Sequence, residues 1–412
     1  LPTPSKHILI VNFDFPPNQG IGGRRWAKFA KELASRGYTV HVIKADPVAG
    51  NLESPWTTDI QYPTIHVHTL PRKYPLAFSH PGKDLISKIR YRIAKKNLLR
   101  KEKGTIYDMA IGWEHVFLNK ASELVSKYDI RNVIATGAPW YLLVYAAKLK
   151  EKFPTLNYIA DFRDPWLNAK NYGMADLTPE RRKAEENKFR HVADMADVIT
   201  APNDEMTFDL KKMAGINASC QVETLTHFFD PDDIPALKNN RSNDVVRIVY
   251  GGDLYIGLNT QLNALRQQLE HIKIKYPELH RKLRVDIYTN AAIPQELQGI
   301  ENVEIKPSIG KALFDALDQA DYSLILLSDA KRNEATTKFM EFLAMRKPMI
   351  VVAPEGKITS FVKQEKIGFA LDFNTVSSLG DYLHNPDPFN ESFDITSYSI
   401  HEVTNRLCSL LK

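Results

Sequence analysis

The chain has 412 residues, 43% apolar and 25% charged, proportions of a soluble globular protein of two or three domains and unlike those of disordered, fibrous or disulfide-dense chains. Its 54 basic and 49 acidic residues leave a mild net charge of +5, so the placement of charge matters more than its sum. Apolar runs such as 322–327 and 349–353 are strand-sized and, like every other in the sequence, fall short of the ~18 residues that a membrane-crossing helix needs.

Residues 1–6 lack the basic start and apolar core of a secretory signal. Two cysteines, Cys220 and Cys408, allow at most one bridge. A chain this long buries a core without it, which favours two ordinary buried thiols in a reducing compartment.

From the N-terminus, strand patterns are expected at 7–13, 39–45, 65–70, 109–112, 132–136, 157–162 and 197–201. Between the first two, Trp26, Phe29, Ala30 and Leu33 recur at helical spacing, and Gly37 stands where a helix would stop. The polar stretch 227–243, with Asp230-Pro231-Asp232-Asp233, Pro235 and Asn239-Asn240, has no periodic face and reads as an interdomain linker. Strands follow at 245–250, 284–288, 303–305, 322–327 and 349–352, separated by helical patterns at 259–275, 311–319, 335–346 and 358–365. After a Pro- and Asn-rich break at 385–394, a terminal helix spans 397–411. Alternating strands and helices predict parallel sheets covered by helices, an α/β class built from two doubly wound domains. The expected division is 1–228, 229–395 and a C-terminal helix, 396–412, packing back on the first domain.

The first strand ends in Asp14-Phe15-Pro16-Pro17-Asn18-Gln19-Gly20-Ile21-Gly22-Gly23 before a helix that opens with Arg24 and Arg25. Glycines at a strand-to-helix turn admit a ligand to backbone amides and the helix dipole, and a basic pair there calls for an anion; a plain glycine-rich connection is the competing reading. The spacing is not the dinucleotide fingerprint. A second strand end carries Gly251-Gly252-Asp253, suited to a diphosphate or to a simple turn. In Glu334-Ala335-Thr336-Thr337-Lys338-Phe339-Met340-Glu341, Thr337 and Lys338 sit where a helix N-terminus would bind phosphate, and Glu341, one turn on, could accept ribose hydroxyls. Asp161-Phe162-Arg163-Asp164-Pro165-Trp166 places two carboxylates around an arginine at a strand end, the usual ligand edge of a parallel sheet; a buried salt bridge is the alternative. Gly137, at the end of the neighbouring strand, would open the same crevice.

Residues 83–103 hold nine basic side chains against Asp84 and Glu102, interleaved with Leu85, Ile86, Ile89, Ile93, Leu98 and Leu99. This reads as a basic amphipathic helix suited to an anionic membrane surface or a phosphorylated acceptor. Nucleic acid is not expected, since no binding motif accompanies the run. His66 and His68 alternate on a strand without further ligands at metal spacing, so no metal site is expected.

In order and spacing, FPPNQGIGGRRWAKFAKELASRGY, ADFRDPW, YGGDLY and TTKFMEFLAMRKPMIVV resemble family 4 glycosyltransferases of the GT-B architecture, over nearly the whole chain. The resemblance implies two Rossmann-like domains facing a central cleft. It implies a cytoplasmic hexosyltransferase that needs no metal and no cofactor. Such an enzyme moves a sugar, with retention, from a nucleoside-diphosphate sugar to a glycan or lipid-linked acceptor of cell-envelope polysaccharide synthesis, with 83–103 resting on the inner face of the cytoplasmic membrane. Carried over by position, Gly22, Gly23, Arg24, Gly251, Gly252, Thr337, Lys338 and Glu341 would bind the donor. Asp161, Asp164 and Arg163 would be catalytic, and Gly137 would lie on the acceptor side. The family's paired acids would put the first at Asn333, one residue from Glu334, and its basic residues after the glycine turn are replaced here by Asp253-Leu254-Tyr255-Ile256-Gly257-Leu258. A non-catalytic sugar-nucleotide binder and a GT-B-like epimerase are the alternatives.

Overall fold

The structure is a computed structural model that describes residues 6–18, 20–47, 54–169, 172–214, 220–238, 244–255, 257–371, 373 and 379–412. The chain divides into two units, Leu1–Thr226 with Ile400–Lys412, and His227–Ser399.

Unit 1 is a seven-stranded sheet in the order β3-β2-β1-β4-β5-β6-β7, every adjacent pair parallel. Its chain order is β1 (His7–Val11), α1 (Ile21–Ser35), β2 (Thr39–Ala45), β3 (Ile65–Leu70), α2 (Leu76–Ser79), α3 (Leu85–Lys101), α4 (Glu114–Tyr128), β4 (Asn132–Gly137), α5 (Tyr141–Lys152), β5 (Asn157–Phe162), α6 (Pro179–Met195), β6 (Val198–Ala201), α7 (Asp204–Ala214) and β7 (Gln221–Thr224). The central strands are buried along their whole length, as a sheet covered on both faces requires.

Unit 2 repeats the plan with six parallel strands in the order β10-β9-β8-β11-β12-β13. It runs β8 (Val246–Gly251), α8 (Asn259–Lys275), α9 (Pro277–Lys282), β9 (Leu283–Tyr288), β10 (Val303–Lys306), α10 (Leu313–Asp318), β11 (Tyr322–Leu326), α11 (Thr337–Ala344), β12 (Met349–Val352), α12 (Lys357–Gln364), β13 (Gly368–Leu371) and α13 (Leu379–His384). The last helix, α14 (Ile400–Ser409), belongs to unit 1. Arg36 at the end of α1 holds it by donating to Asn405 Oδ1 and the His401 carbonyl, at 2.6 and 2.8 Å.

Four expectations need correction. Residues 109–112 form a turn, because the buried Asp108 carboxylate accepts the Ala110 amide (2.9 Å) and folds an apolar run into the core without sheet pairing. The four-residue edge strands β7 and β13 carry too little pattern to stand out in the sequence. The stretch beginning at His227 is no loose linker: Phe229 is buried in the unit 2 core and pairs with Ser399, and the Lys238 amide donates to Asp318. Asn239–Asn243, like 1–5 and Ile256, lie outside the described residues. Finally, Cys220 and Cys408 are free and half-buried rather than fully buried.

Candidate functional site

In unit 1 the strand order reverses between β1 and β4, and the ends of β1, β4 and the adjoining β5 carry the predicted residues. Asn12, just past β1, fixes the loop at both ends: its Oδ1 accepts the Asp14 amide at 3.1 Å and its Nδ2 donates to the Gly22 carbonyl at 3.2 Å. A Cβ on Gly23 would overlap the Asp14 carbonyl, so this glycine lets α1 press against the loop. A Cβ on Gly22 would instead overlap the Arg163 guanidinium, which lies across the start of α1. Arg163 is fixed there by its own amide, which donates to the Gly137 carbonyl at 3.1 Å, and by Asp164, whose Oδ2 accepts from Nε at 3.0 Å. Gly22, Arg163 and Asp164 therefore form one partly accessible patch, with the Arg163 and Asp164 side chains 21% and 43% accessible.

Asp161 does not join them. It is fully buried on β5, where Oδ2 accepts from Trp26 Nε1 (2.9 Å) and Thr136 Oγ1 (2.8 Å) and Oδ1 from Thr200 Oγ1 (2.9 Å). These donors come from α1, β4 and β6, so Asp161 ties the sheet to its first helix from inside the core, away from the accessible Asp164. Arg25 is likewise internal: it donates to the Leu225 and Thr226 carbonyls at 2.7 and 2.9 Å and lies 3.8 Å from Asp161, and burial lowers its pKa against the pull of that carboxylate. Arg24 is buried as well. Gly137 opens no crevice, since a Cβ there would meet the Trp140 ring.

In unit 2 the reversal falls between β8 and β11. Gly251 lets Leu313 of α10 pack over the strand end, and Gly252, at φ 128°, leaves its Cβ position to the end of the Lys338 side chain. Lys338 enters from the first turn of α11, whose start is set by Thr336: its Oγ1 accepts the Phe339 amide at 3.2 Å. The Lys338 ammonium sits 4.3 Å from the centroid of the Tyr250 ring and donates to the Tyr250 hydroxyl at 3.2 Å. That hydroxyl in turn donates to the Asp253 carbonyl at 2.9 Å. Desolvation lowers the Lys338 pKa to about 8, with Asp253 and Glu341 pulling it up and Lys331 pushing it down. No carboxylate of the described residues lies within ion-pair distance of it. Thr337 and Glu341 flank Lys338 on the same helix, both partly accessible.

Two features escaped the sequence reading. Tyr250, the residue before the glycine pair, is the platform for Lys338; its only signal was an aromatic at a strand's last position. Asn333, where the family pattern places an acid, caps α12 instead, its Oδ1 accepting the Lys357 amide at 3.0 Å.

No family model matches the chain, and no curated protein matches it. Solved structures do. A UDP-forming α,α-trehalose-phosphate synthase from Burkholderia vietnamiensis superposes with a TM-score of 0.61 at 10% identity, over 98% of each chain. A glycosyltransferase from Rickettsia africae gives 0.55 at 14% identity, over 100% of this chain and 95% of that one. A trehalose-6-phosphate synthase studied for glycosyl transfer with retention gives 0.57 at 10% identity, over 98% of both. The fold is GT-B. In both GT-B units of this chain the glycine-bearing turn stands at the sheet's reversal point, where open parallel sheets bind ligands.

Proposed function

We propose that the protein is a retaining, metal-independent glycosyltransferase in which unit 2 holds a nucleoside-diphosphate sugar and unit 1 serves the acceptor. The observation that carries this is Lys338. The fully buried lysines are closed by acceptors inside the core: Lys28 has Asp59 (3.0 Å), Lys44 has Asn18 (2.7 Å) and Lys347 has the Asp318 carbonyl (2.7 Å). Lys338, partly accessible, rests on the face of the Tyr250 ring over Gly252 with the Tyr250 hydroxyl as its acceptor, a largely desolvated cation that still reaches the surface. The neighbouring folds, among them a UDP-forming synthase and one studied for transfer with retention, support the diphosphate and the stereochemistry.

In this reading Lys338 meets the diphosphate at the start of α11, Gly251 and Gly252 let it approach the backbone, Thr337 adds a hydroxyl, and Glu341 accepts from the ribose. As the sugar–oxygen bond breaks, the charge growing on the leaving diphosphate meets an ammonium already in place, so little reorganisation is needed. The acceptor oxygen attacks from the face the diphosphate leaves, forming the new bond to the sugar as its proton passes to the departing diphosphate oxygen. Arg163 and Asp164 beside Gly22 are the exposed polar groups that would orient it, and a glycan or lipid-linked acceptor of the cell envelope is the class we favour. Asp253, exposed where the family carries a base, favours a second reading, a sugar-nucleotide binder without turnover.

The test is thermal unfolding of the full chain and of Lys338→Met with millimolar UDP, GDP and their sugar conjugates. One base should stabilise the wild type by about 2.7 kcal/mol at a hundred times its dissociation constant. The variant should lose that shift while melting no lower without ligand, because a buried ammonium has been replaced by a thioether of similar length. A wild type that responds to no nucleotide overturns the proposal, and a response without sugar release or transfer selects the second reading. A bound diphosphate would raise the Lys338 pKa, so binding takes up a proton and affinity should fall as pH rises through about 8. Calorimetry in buffers of differing ionisation enthalpy reads that proton directly.

A further inference from the structure

Two tyrosines bracket the glycine turn at the end of β8, and each carries a lysine on its ring. Lys338 lies over Tyr250, and Lys331 lies over Tyr255 with its ammonium 5.2 Å from the ring centroid. Both lysines come from the segment between the end of β11 and the first turn of α11. That segment is pinned to the glycine turn, since the Ser328 amide donates to the Tyr255 hydroxyl at 3.2 Å. The Lys331 amide donates to the Ser328 carbonyl at 2.9 Å and closes the short helical turn Asp329–Lys331; the Glu334 amide donates to the Lys331 carbonyl at 2.9 Å. The backbone that bears Lys331 is therefore fixed at both sides, while its side chain is exposed.

The charge on this surface is one-sided. The turn itself, Gly251-Gly252-Asp253-Leu254, supplies no base. Among the described residues neither Lys331 nor Lys338 has a carboxylate at ion-pair distance, although Arg332 beside them is paired with Asp329. The Lys331 charge is felt at Lys338, where it adds to desolvation in lowering the ammonium's pKa. Two cations held beside one glycine turn repel each other until an anion joins them, an arrangement that serves binding rather than stability. Along the chain Lys331 precedes α11, Lys338 stands in its first turn and Glu341 comes one turn later.

We propose that Lys331 is a second cation of the donor site: Lys338 neutralises the phosphate joined to the ribose, and Lys331 neutralises the phosphate that carries the sugar. Lys331 takes this role only if unit 2 holds the donor, the reading on which it rests. With the ribose at Glu341, the order Glu341, Lys338, Lys331 follows the order ribose, inner phosphate, outer phosphate. A nucleoside monophosphate then engages Lys338 alone, whereas a diphosphate engages both ammoniums, so the site selects the diphosphate. When the bond to the sugar breaks, its electron pair stays on the outer phosphate, and the charge that develops there falls beside Lys331, which shares it.

The experiment is calorimetric titration of the full chain with UDP, UMP, GDP and GMP, for the wild type, Lys331→Gln, Lys331→Arg and Lys338→Met. The wild type should bind one diphosphate at least about ten-fold more tightly than its monophosphate. Lys331→Gln should lower affinity for the diphosphate by about ten-fold and leave that for the monophosphate unchanged, and Lys331→Arg, which keeps the charge, should restore most of the loss. Lys338→Met should weaken both ligands. The Lys331 side chain is exposed, so ligand-free melting temperatures of its variants should match the wild type and exclude misfolding as the cause. A Lys331→Gln protein that binds the diphosphate as the wild type does, or that loses both ligands alike, would overturn the proposal; if Lys338→Met still loses binding, the donor reading itself survives. So would a Lys331→Arg protein as weak as Lys331→Gln, since the role assigned is one of charge. A wild type that binds no nucleotide overturns both.

Discussion

Unit 1 and unit 2 share a chain plan and a strand order, yet they treat buried charge in opposite ways. In unit 1 the carboxylate of Asp161 is enclosed by three fixed donors, Trp26, Thr136 and Thr200, with the Arg25 guanidinium 3.8 Å away. In unit 2 the ammonium of Lys338 is desolvated with only a phenol and its ring for company. The first arrangement is complete without a ligand and stabilises the fold; the second leaves a largely desolvated cation with no carboxylate of the described residues at ion-pair distance, the feature on which the proposed donor site rests. Substitutions should therefore act on stability in unit 1 and on binding in unit 2.

The largest effect is expected at Asp161. Replacing it with Ala strands the Trp26 indole and two threonine hydroxyls in a dry core and removes the carboxylate that faces the Arg25 guanidinium, a loss of ~3–5 kcal/mol. Denaturant melts would show it, and an Asp161→Ala protein as stable as the wild type would return this carboxylate to the list of candidate reacting groups. Acid should act next, again in unit 1. His41 on β2 is buried among His7, His66, His68, Lys120 and Tyr128; its ring shares hydrogen bonds with His7 at 3.0 Å and His68 at 3.3 Å, and burial with the neighbouring positive charges lowers its pKa to about 4. Its folded pKa lies below the unfolded value, so the unfolded chain binds the proton first. Stability is intact above the ordinary histidine range and declines as pH falls from ~6.5 toward 4, by ~3 kcal/mol in all. His41→Gln should flatten that slope, which denaturation at neutral and acid pH would measure.

Smaller, and confined to unit 2, is the effect of Gly252→Ala. The added methyl occupies the place of the Lys338 ammonium, so nucleotide affinity should drop by about ten-fold. Combined with Lys338→Met it should cost no further affinity, because the displaced group is already gone. Additive losses in that double-mutant cycle would mean that Gly252 touches the nucleotide independently of Lys338.

The sequence disclosed the fold more readily than the site. Its two sheets were visible because buried parallel strands such as β1 and β12 carry continuous apolar runs, whereas the edge strand β7 reads Gln-Val-Glu-Thr and carries none, and β13 is only four residues long. Glycine turns and polar strand ends singled out Gly22, Arg163 and Asp164, and Gly252 with Lys338, and the fold brings each of these sets into contact. Asp161 was misread for the same reason: its neighbours Trp26 and Thr200 are 135 and 39 residues away, and nothing in the local sequence distinguishes a carboxylate enclosed by distant donors from one that faces a substrate. The role of Tyr250 was hidden likewise, because it arises only when α11 brings Lys338 back over the end of β8.

Asp164 gives the smallest and sharpest contrast, because it stands three residues from Asp161 with the opposite exposure. Its carboxylate is 43% accessible and its one ion pair, to Arg163 at 3.0 Å, is half in water. Such pairs contribute ~1 kcal/mol or less, so Asp164→Asn should hardly move the melting temperature. It does loosen the Arg163 guanidinium over Gly22, at the end of the molecule we assign to the acceptor. Turnover should therefore fall while nucleotide binding, read by the thermal shift, is preserved. An Asp164→Asn protein with full transfer activity would mean that unit 1 contributes backbone and shape at its reversal point but no carboxylate chemistry, and the contrast between a closed unit 1 and an open unit 2 would then be complete.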